Sequence, residues 1–179
     1  MEQSTTADKW LKWTVTIAVL VLITALYVGL RWRSEHISLA QVVDQAIPYE
    51  TAVSNQRPTL IEFYADWCES CQSMAKDNYA LEQQYGERIN FVMLNVDNNK
   101  WLPELTKYRV DGIPRFIFLD EKQQVLGDAV GIVPKSVLEA NLLALMNGQA
   151  LPYNAVAGGN SSNVTAPQPA PAIDPRSHG

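Results

Sequence analysis

The chain has 179 residues, 47% of them apolar and including five Trp and seven Tyr, enough to build one well-packed domain with accessories. Its formal charge of −5, with no dense Lys/Arg block, argues against a nucleic-acid partner. Cys68 and Cys71 are the only cysteines, which excludes a multi-disulfide secreted scaffold and a four-cysteine zinc site.

In chain order, residues 1–12 form an N-terminal flank and 13–32 a membrane anchor. The segment Trp13 to Trp32 carries no charge before Arg31 and is bracketed by Lys9, Lys12, Arg31 and Arg33. Twenty residues at about 1.5 Å each make a helix of about 30 Å, the thickness of a bilayer's hydrocarbon core. Trp13, Tyr27 and Trp32 suit its two interfaces. The length, the flanking arginines and the lack of an adjacent small-x-small site favour a retained anchor over a cleaved signal. The basic residues balance across the segment, so they do not set its orientation. A linker, 33–37, leads into a domain over 38–150.

Within that domain Ser38 and Gln41 form a capping-box pattern that opens a helix, and Pro48 opens a further turn up to Asn55. Thr59 to Ala65 is apolar almost throughout, as a central strand buried on both faces should be. A stretch from Cys71 to Tyr85 without Gly or Pro predicts a long helix ending at Gly86. Ile89 to Val96 predicts a second buried strand, and Lys100 to Tyr108 a short helix despite Pro103. Arg115–Asp120 and Gln124–Val130 flank a polar turn and predict a hairpin. Pro134 and Gly148 bracket a closing helix. The result is an α/β fold with a mixed four-stranded sheet and helices on both faces. Residues 151–179, rich in Ala, Pro, Gly, Ser and Asn, are expected to be a disordered tail.

The chemistry concentrates in Asp66-Trp67-Cys68-Glu69-Ser70-Cys71, where the first strand ends and the long helix begins. Unpaired backbone N–H groups and the positive end of the helix dipole favour a thiolate there. Cys68 is expected to be the exposed, acidified nucleophile, and Cys71, one turn further in, the shielded thiol that resolves a mixed disulfide. A metal clip is disfavoured because His36 and His178 lie in the anchor's flank and the tail. An inert disulfide across so short a loop would stabilise little. Glu62, a lone carboxylate in an apolar strand, is expected to point inward beneath the helix start, where burial raises its pKa and lets it accept a proton from Cys71; taken alone, it could equally be an edge-strand carboxylate facing water. Pro114 precedes a strand, and its peptide bond is open between trans and cis.

Glu62–Cys71, Asn90–Asn98 and Asp111–Asp120, in this order and spacing, resemble the thioredoxin superfamily, most closely the membrane-anchored thioredoxin-like proteins of cyanobacteria and thylakoids, the TxlA type. The likeness covers about Leu39 to Tyr153. It implies that Cys68 is the nucleophile and Cys71 the resolving cysteine, that Pro114 is cis and faces the disulfide, that Ile113 and Trp67 contact a client peptide, and that Glu62 takes the place of a buried Asp. Glu69 and Ser70 replace the usual Gly-Pro, and Met93 stands where a lysine is usual. Glu69 beside Cys68 should weaken thiolate stabilisation and favour a reducing couple.

The resemblance implies a membrane-tethered thiol-disulfide oxidoreductase that needs no cofactor, since the cysteine pair carries the electrons. Its implied partners are client proteins with cysteine pairs, apocytochromes among them, and a CcdA-like thiol carrier as electron donor. Its redox domain is implied to lie on the thylakoid-lumen or periplasmic side. The alternatives are an oxidant of the same fold and a non-catalytic anchored module that holds polypeptides near Trp67 and Pro114.

Overall fold

The computed structural model describes residues 5–33, 37–154, 156–157 and 162–163. His36, His178 and most of the tail lie outside the described residues.

Helix α1 spans Thr5–Arg33, longer at both ends than the segment read as an anchor, with no proline to stop it. Its stretch Trp10–Val28, of mean hydropathy 2.0, is long and apolar enough to cross a membrane. Three hydroxyls within it turn back onto the helix backbone: Thr14 and Thr16 donate to the carbonyls of Leu11 and Lys12, and Thr24 to those of Leu20 and Val21. In hydrocarbon, where no water can satisfy a hydroxyl, such internal bonds are required.

The second unit begins at Ser38. Helix α2, Leu39–Gln45, opens with the capping box the sequence announces, Gln41 N–H donating to Ser38 Oγ and Ser38 N–H to Gln41 Oε1. Helix α3, Tyr49–Ser54, follows Pro48. Strand β1, Thr59–Tyr64, is buried at all six positions. Helix α4, Glu69–Tyr85, starts at Cys68 and ends at Gly86. Strand β2 is Asn90–Asn95. A 3₁₀ turn, Asn99–Trp101, precedes α5, Leu102–Lys107, so Pro103 stands in the first turn, where its missing N–H costs nothing. Strand β3 is the pair Gly112–Ile113, β4 is Arg115–Leu119 and β5 is Val125–Val130. Asp120 locks the turn between β4 and β5, its Oδ1 accepting the N–H groups of Lys122 and Gln124 at 2.8 Å each. Helix α6 is Lys135–Met146.

The central strands run β2-β1-β4-β5. β1 is parallel to β2 from Thr59↔Asn90 to Tyr64↔Asn95 and antiparallel to β4 from Thr59↔Leu119 to Phe63↔Arg115. β1 therefore lies inside the sheet, and alternation divides its side chains between two faces. Leu60 joins Met74, Leu81, Phe116, Phe118, Leu138 and Leu142 in the core shared with α4 and α6. On the opposite face Phe63 meets Tyr108, just after α5, with ring centroids 5.9 Å apart. Glu62, two residues from Leu60, shares the α4 side.

The chain beyond residue 150 adds what the sequence did not announce. Asn141 of α6 grips the backbone of Tyr153 with both ends of its amide, Nδ2 donating to the carbonyl at 2.7 Å and Oδ1 accepting the N–H at 3.0 Å. Gly127 of β5 leaves room for Leu151 and Asn154 to pass; a Cβ there would meet Leu151 Cδ1 at 2.8 Å and crowd Asn154 Oδ1. Strand β6, Val156–Ala157, then joins β5 in parallel as a fifth strand, and β7, Ser162–Asn163, pairs antiparallel with β3.

Candidate active site

Because β1 is buried on both faces, it delivers the chain from the sheet interior straight to a helix start. Ala65, Asp66 and Trp67 make the turn, with Cys68 N–H donating to the Ala65 carbonyl at 3.1 Å and Gln72 Nε2 to the Asp66 carbonyl at 2.6 Å. Cys68 is the N-cap of α4, and its Sγ accepts the Cys71 N–H at 3.1 Å. The two cysteines form a disulfide, their Cα atoms 5.3 Å apart.

One expectation is overturned. Cys68 is not exposed in this disulfide-bonded form; it and Cys71 each show 0% of their surface. The capping geometry turns the Cys68 side chain back over the first turn of α4, and the bond to Cys71 holds it there. Glu69 beside it is exposed, Ser70 is buried, and Trp67 is 54% exposed. Trp67 is fixed by its indole N–H, which donates to Asp97 Oδ2 at 2.9 Å.

Glu62 is 3% exposed, beneath α4. Its Oε2 accepts a 2.7 Å hydrogen bond from Asn78 Nδ2, while its Oε1 and Asn78 Oδ1 have no hydrogen-bond partner among the described residues. Burial pushes the Glu62 carboxyl up to about 8, and the Asn78 bond offsets only part of this. The β2 residue in register with Glu62 is Met93, which carries no charge to counter a carboxylate. The edge-strand alternative is removed, since β1 is flanked by β2 and β4.

Pro114 follows β3, and the Ile113–Pro114 peptide bond is cis. The register Phe63↔Arg115 places this bond at the end of the sheet where β1 hands the chain on toward Cys68. Ile113 and Pro114 are buried, and the Pro114 carbonyl accepts the Gly131 N–H at 2.8 Å.

Two residues escape sequence reasoning. Asn78 follows Cys71 by seven positions and Met74 by four, which puts all three on the buried face of α4; that helical spacing is the available signal. Asp97 lies thirty residues from Trp67, and nothing local connects them.

The thioredoxin family profile matches residues 39–144. The chain belongs to the thioredoxin family. It is 51% identical over 167 residues to the thiol:disulfide interchange protein TxlA of Synechococcus elongatus, covering 92% of this chain and 87% of that one. The TxlA homolog of Synechocystis sp. is 46% identical over 165 residues, covering 92% of each. The chloroplastic thioredoxin-like protein HCF164 of Arabidopsis thaliana is 46% identical over 165 residues, 91% of this chain and 63% of that one. Within the family the chain is of the TxlA type. With its Cys68–Cys71 pair in a thioredoxin fold it is a thiol-disulfide oxidoreductase, its clients are cysteine-containing proteins, and α1 fits a single membrane-spanning helix.

Proposed function

We propose that this thioredoxin-family chain is a membrane-tethered reductant of client disulfides. The observation that carries the reading is a cysteine pair at a helix N-cap, with Glu62, a buried carboxyl with no counter-charge among the described residues, beneath that helix. Glu62 when ionised, and Glu69 in the first turn, both weigh against a Cys68 thiolate, so the folded domain favours the disulfide and gives electrons away.

The reduced pair acts in two steps. The Cys68 thiolate attacks one sulfur of a client disulfide, forming a Cys68–client bond and releasing the other client sulfur as a thiolate that takes up a proton. Glu62 then accepts the Cys71 proton, and the Cys71 thiolate attacks Cys68 Sγ. The Cys68–Cys71 disulfide forms, the second client sulfur leaves as a thiolate that takes up a proton, and two electrons have passed to the client. Trp67, Ile113 and the cis-Pro114 loop hold the client chain, while Glu69 and Ser70 tune the couple.

Helix α1 keeps the domain at the membrane on the thylakoid-lumen or periplasmic side, where thiols are readily oxidised. A reductant there draws electrons from across the bilayer, a role for a CcdA-like thiol carrier, and apocytochromes awaiting haem suit it as clients. The HCF164 relatives, named as chloroplastic, support a chloroplast-type setting. Thiol trapping in living cells tests direction: a mostly reduced Cys68/Cys71 pair is expected, and a mostly oxidised pair would overturn the reductant in favour of an oxidant.

A further inference from the structure

The edge at Gly112–Ile113 is already filled, and by this chain itself. β7 pairs antiparallel with β3, Asn163 opposite Gly112 and Ser162 opposite Ile113. An open strand edge presents unpaired N–H and C=O groups and is how extended peptides are commonly held. The route that brings the tail to this edge is built into the domain. The Asn141 amide holds Tyr153 by two hydrogen bonds, and Gly127 has no side chain where Leu151 and Asn154 cross β5. β6 then runs beside Ala129 and Val130, one residue before Gly131, whose N–H bonds the Pro114 carbonyl. From Ala157 to Ser162 is five steps along the chain, a reach of up to about 17 Å.

We propose that Ser162–Asn163 is a strap that stands in for a client: it occupies the peptide-docking edge at Gly112–Ile113, and an extended, cysteine-bearing client segment must displace it by pairing with the same backbone. This rests on the reading of Ile113 as a client contact. The strap competes with polypeptides and not with small disulfides, which need no strand pairing. A strap closed nine-tenths of the time lowers apparent client affinity about tenfold.

The test uses the full chain in detergent, reduced beforehand, in single-turnover oxidation by insulin and by hydroxyethyl disulfide. Three proteins are compared: the native chain, a chain ending after Gly158, and the double variant Ser162→Pro/Asn163→Pro, which keeps the tail but lacks both backbone donors. Both variants should react with insulin several-fold to about tenfold faster than the native chain at sub-saturating insulin. Their rates with hydroxyethyl disulfide should change less than about twofold, and a synthetic peptide of residues 156–170 should slow the truncated chain toward insulin. Hydrogen exchange at whichever of the Gly112 and Ile113 amides faces β7 separates the two ways of failing. Amides equally fast in native and truncated chains would refute the strap. Amides protected in the native chain and freed by truncation, with unchanged insulin rates, would refute Gly112–Ile113 as the client edge. Equal acceleration on both oxidants would also overturn the proposal, since a strap of this kind distinguishes them.

Discussion

Replacing Glu62 by Gln should make the protein more stable at alkaline pH and flatten its stability against pH. The carboxyl is buried, its Oε1 has no partner among the described residues, and its pKa is raised from 4.5 to about 8. Between these values the folded chain holds a proton that the unfolded chain releases. The contribution is complete below 4.5, falls as pH rises, and is gone above about 8. A shift of about 3.5 pKa units at about 1.4 kcal/mol each amounts to about 5 kcal/mol, of which about 4 kcal/mol falls between pH 5 and 9. A glutamine at this position keeps an acceptor for the Asn78 amide and cannot ionise. Half-buried Glu82, its carboxyl raised to about 7 by burial, titrates in the same window, but it is common to both proteins and cancels in their difference. Denaturant unfolding of the oxidised proteins by tryptophan fluorescence, at half-unit steps from pH 5 to 9, reads this out. The curves should converge near pH 5 and separate by about 4 kcal/mol at pH 9. Parallel curves, with a constant gap at every pH, would refute the claim that Glu62 titrates inside the fold.

Glu62→Gln should also slow resolution of a mixed disulfide and remove its rise with pH toward 8 in single-turnover kinetics; unchanged rates from pH 6 to 9 would remove Glu62 from proton transfer. Cys71→Ser should accumulate covalent complexes with client proteins and Cys68→Ser almost none, as non-reducing gels will show. Equal trapping by both would reverse or erase the assigned roles. The chain should stay with membranes after a carbonate wash and retain Trp10–Val28; a soluble form beginning near Ser34 would show cleavage. Asn141→Ala, which loses both bonds to the Tyr153 backbone, should cost about 1–3 kcal/mol in unfolding experiments and expose Leu151–Ala157 to limited proteolysis.

What the sequence reveals, and what it hides, follows from the length scale of each signal. β1 is legible because its apolar run is interrupted only by Glu62, and α4 because seventeen residues contain no breaker. The β4–β5 hairpin is legible through its polar turn. The two-residue strands β3, β6 and β7 are not, because a bridge of two residues is too short for alternation to develop and depends on partners far along the chain. The end of α4 falls on Gly86 as expected, although that residue stays in right-handed helical geometry and bonds back to the Glu82 carbonyl at 2.7 Å. At the site, the cysteine pair is plain from spacing and position, whereas the cis bond at Pro114 comes from family resemblance and not from residue chemistry. The burial of Cys68 stays hidden because a motif locates a thiol along the chain without saying which way a capping side chain turns.

The capping role of Cys68 also makes direction of electron flow a question about folding. In the reduced protein the Cys68 sulfur that accepts the Cys71 N–H can carry a full negative charge; in the oxidised protein the same sulfur caps α4 as a neutral atom. The two redox forms therefore differ in helix stability, and the difference closes a thermodynamic cycle with the unfolded dithiol and disulfide. Each 1.4 kcal/mol by which folding favours the disulfide over the dithiol lowers the potential by about 30 mV. If the acids near the pair outweigh the cap, oxidised protein withstands more denaturant than reduced protein and the couple is a reductant; if the cap wins, the order inverts. Two unfolding curves, one on each redox form, would read the poise of the couple without any client in the tube.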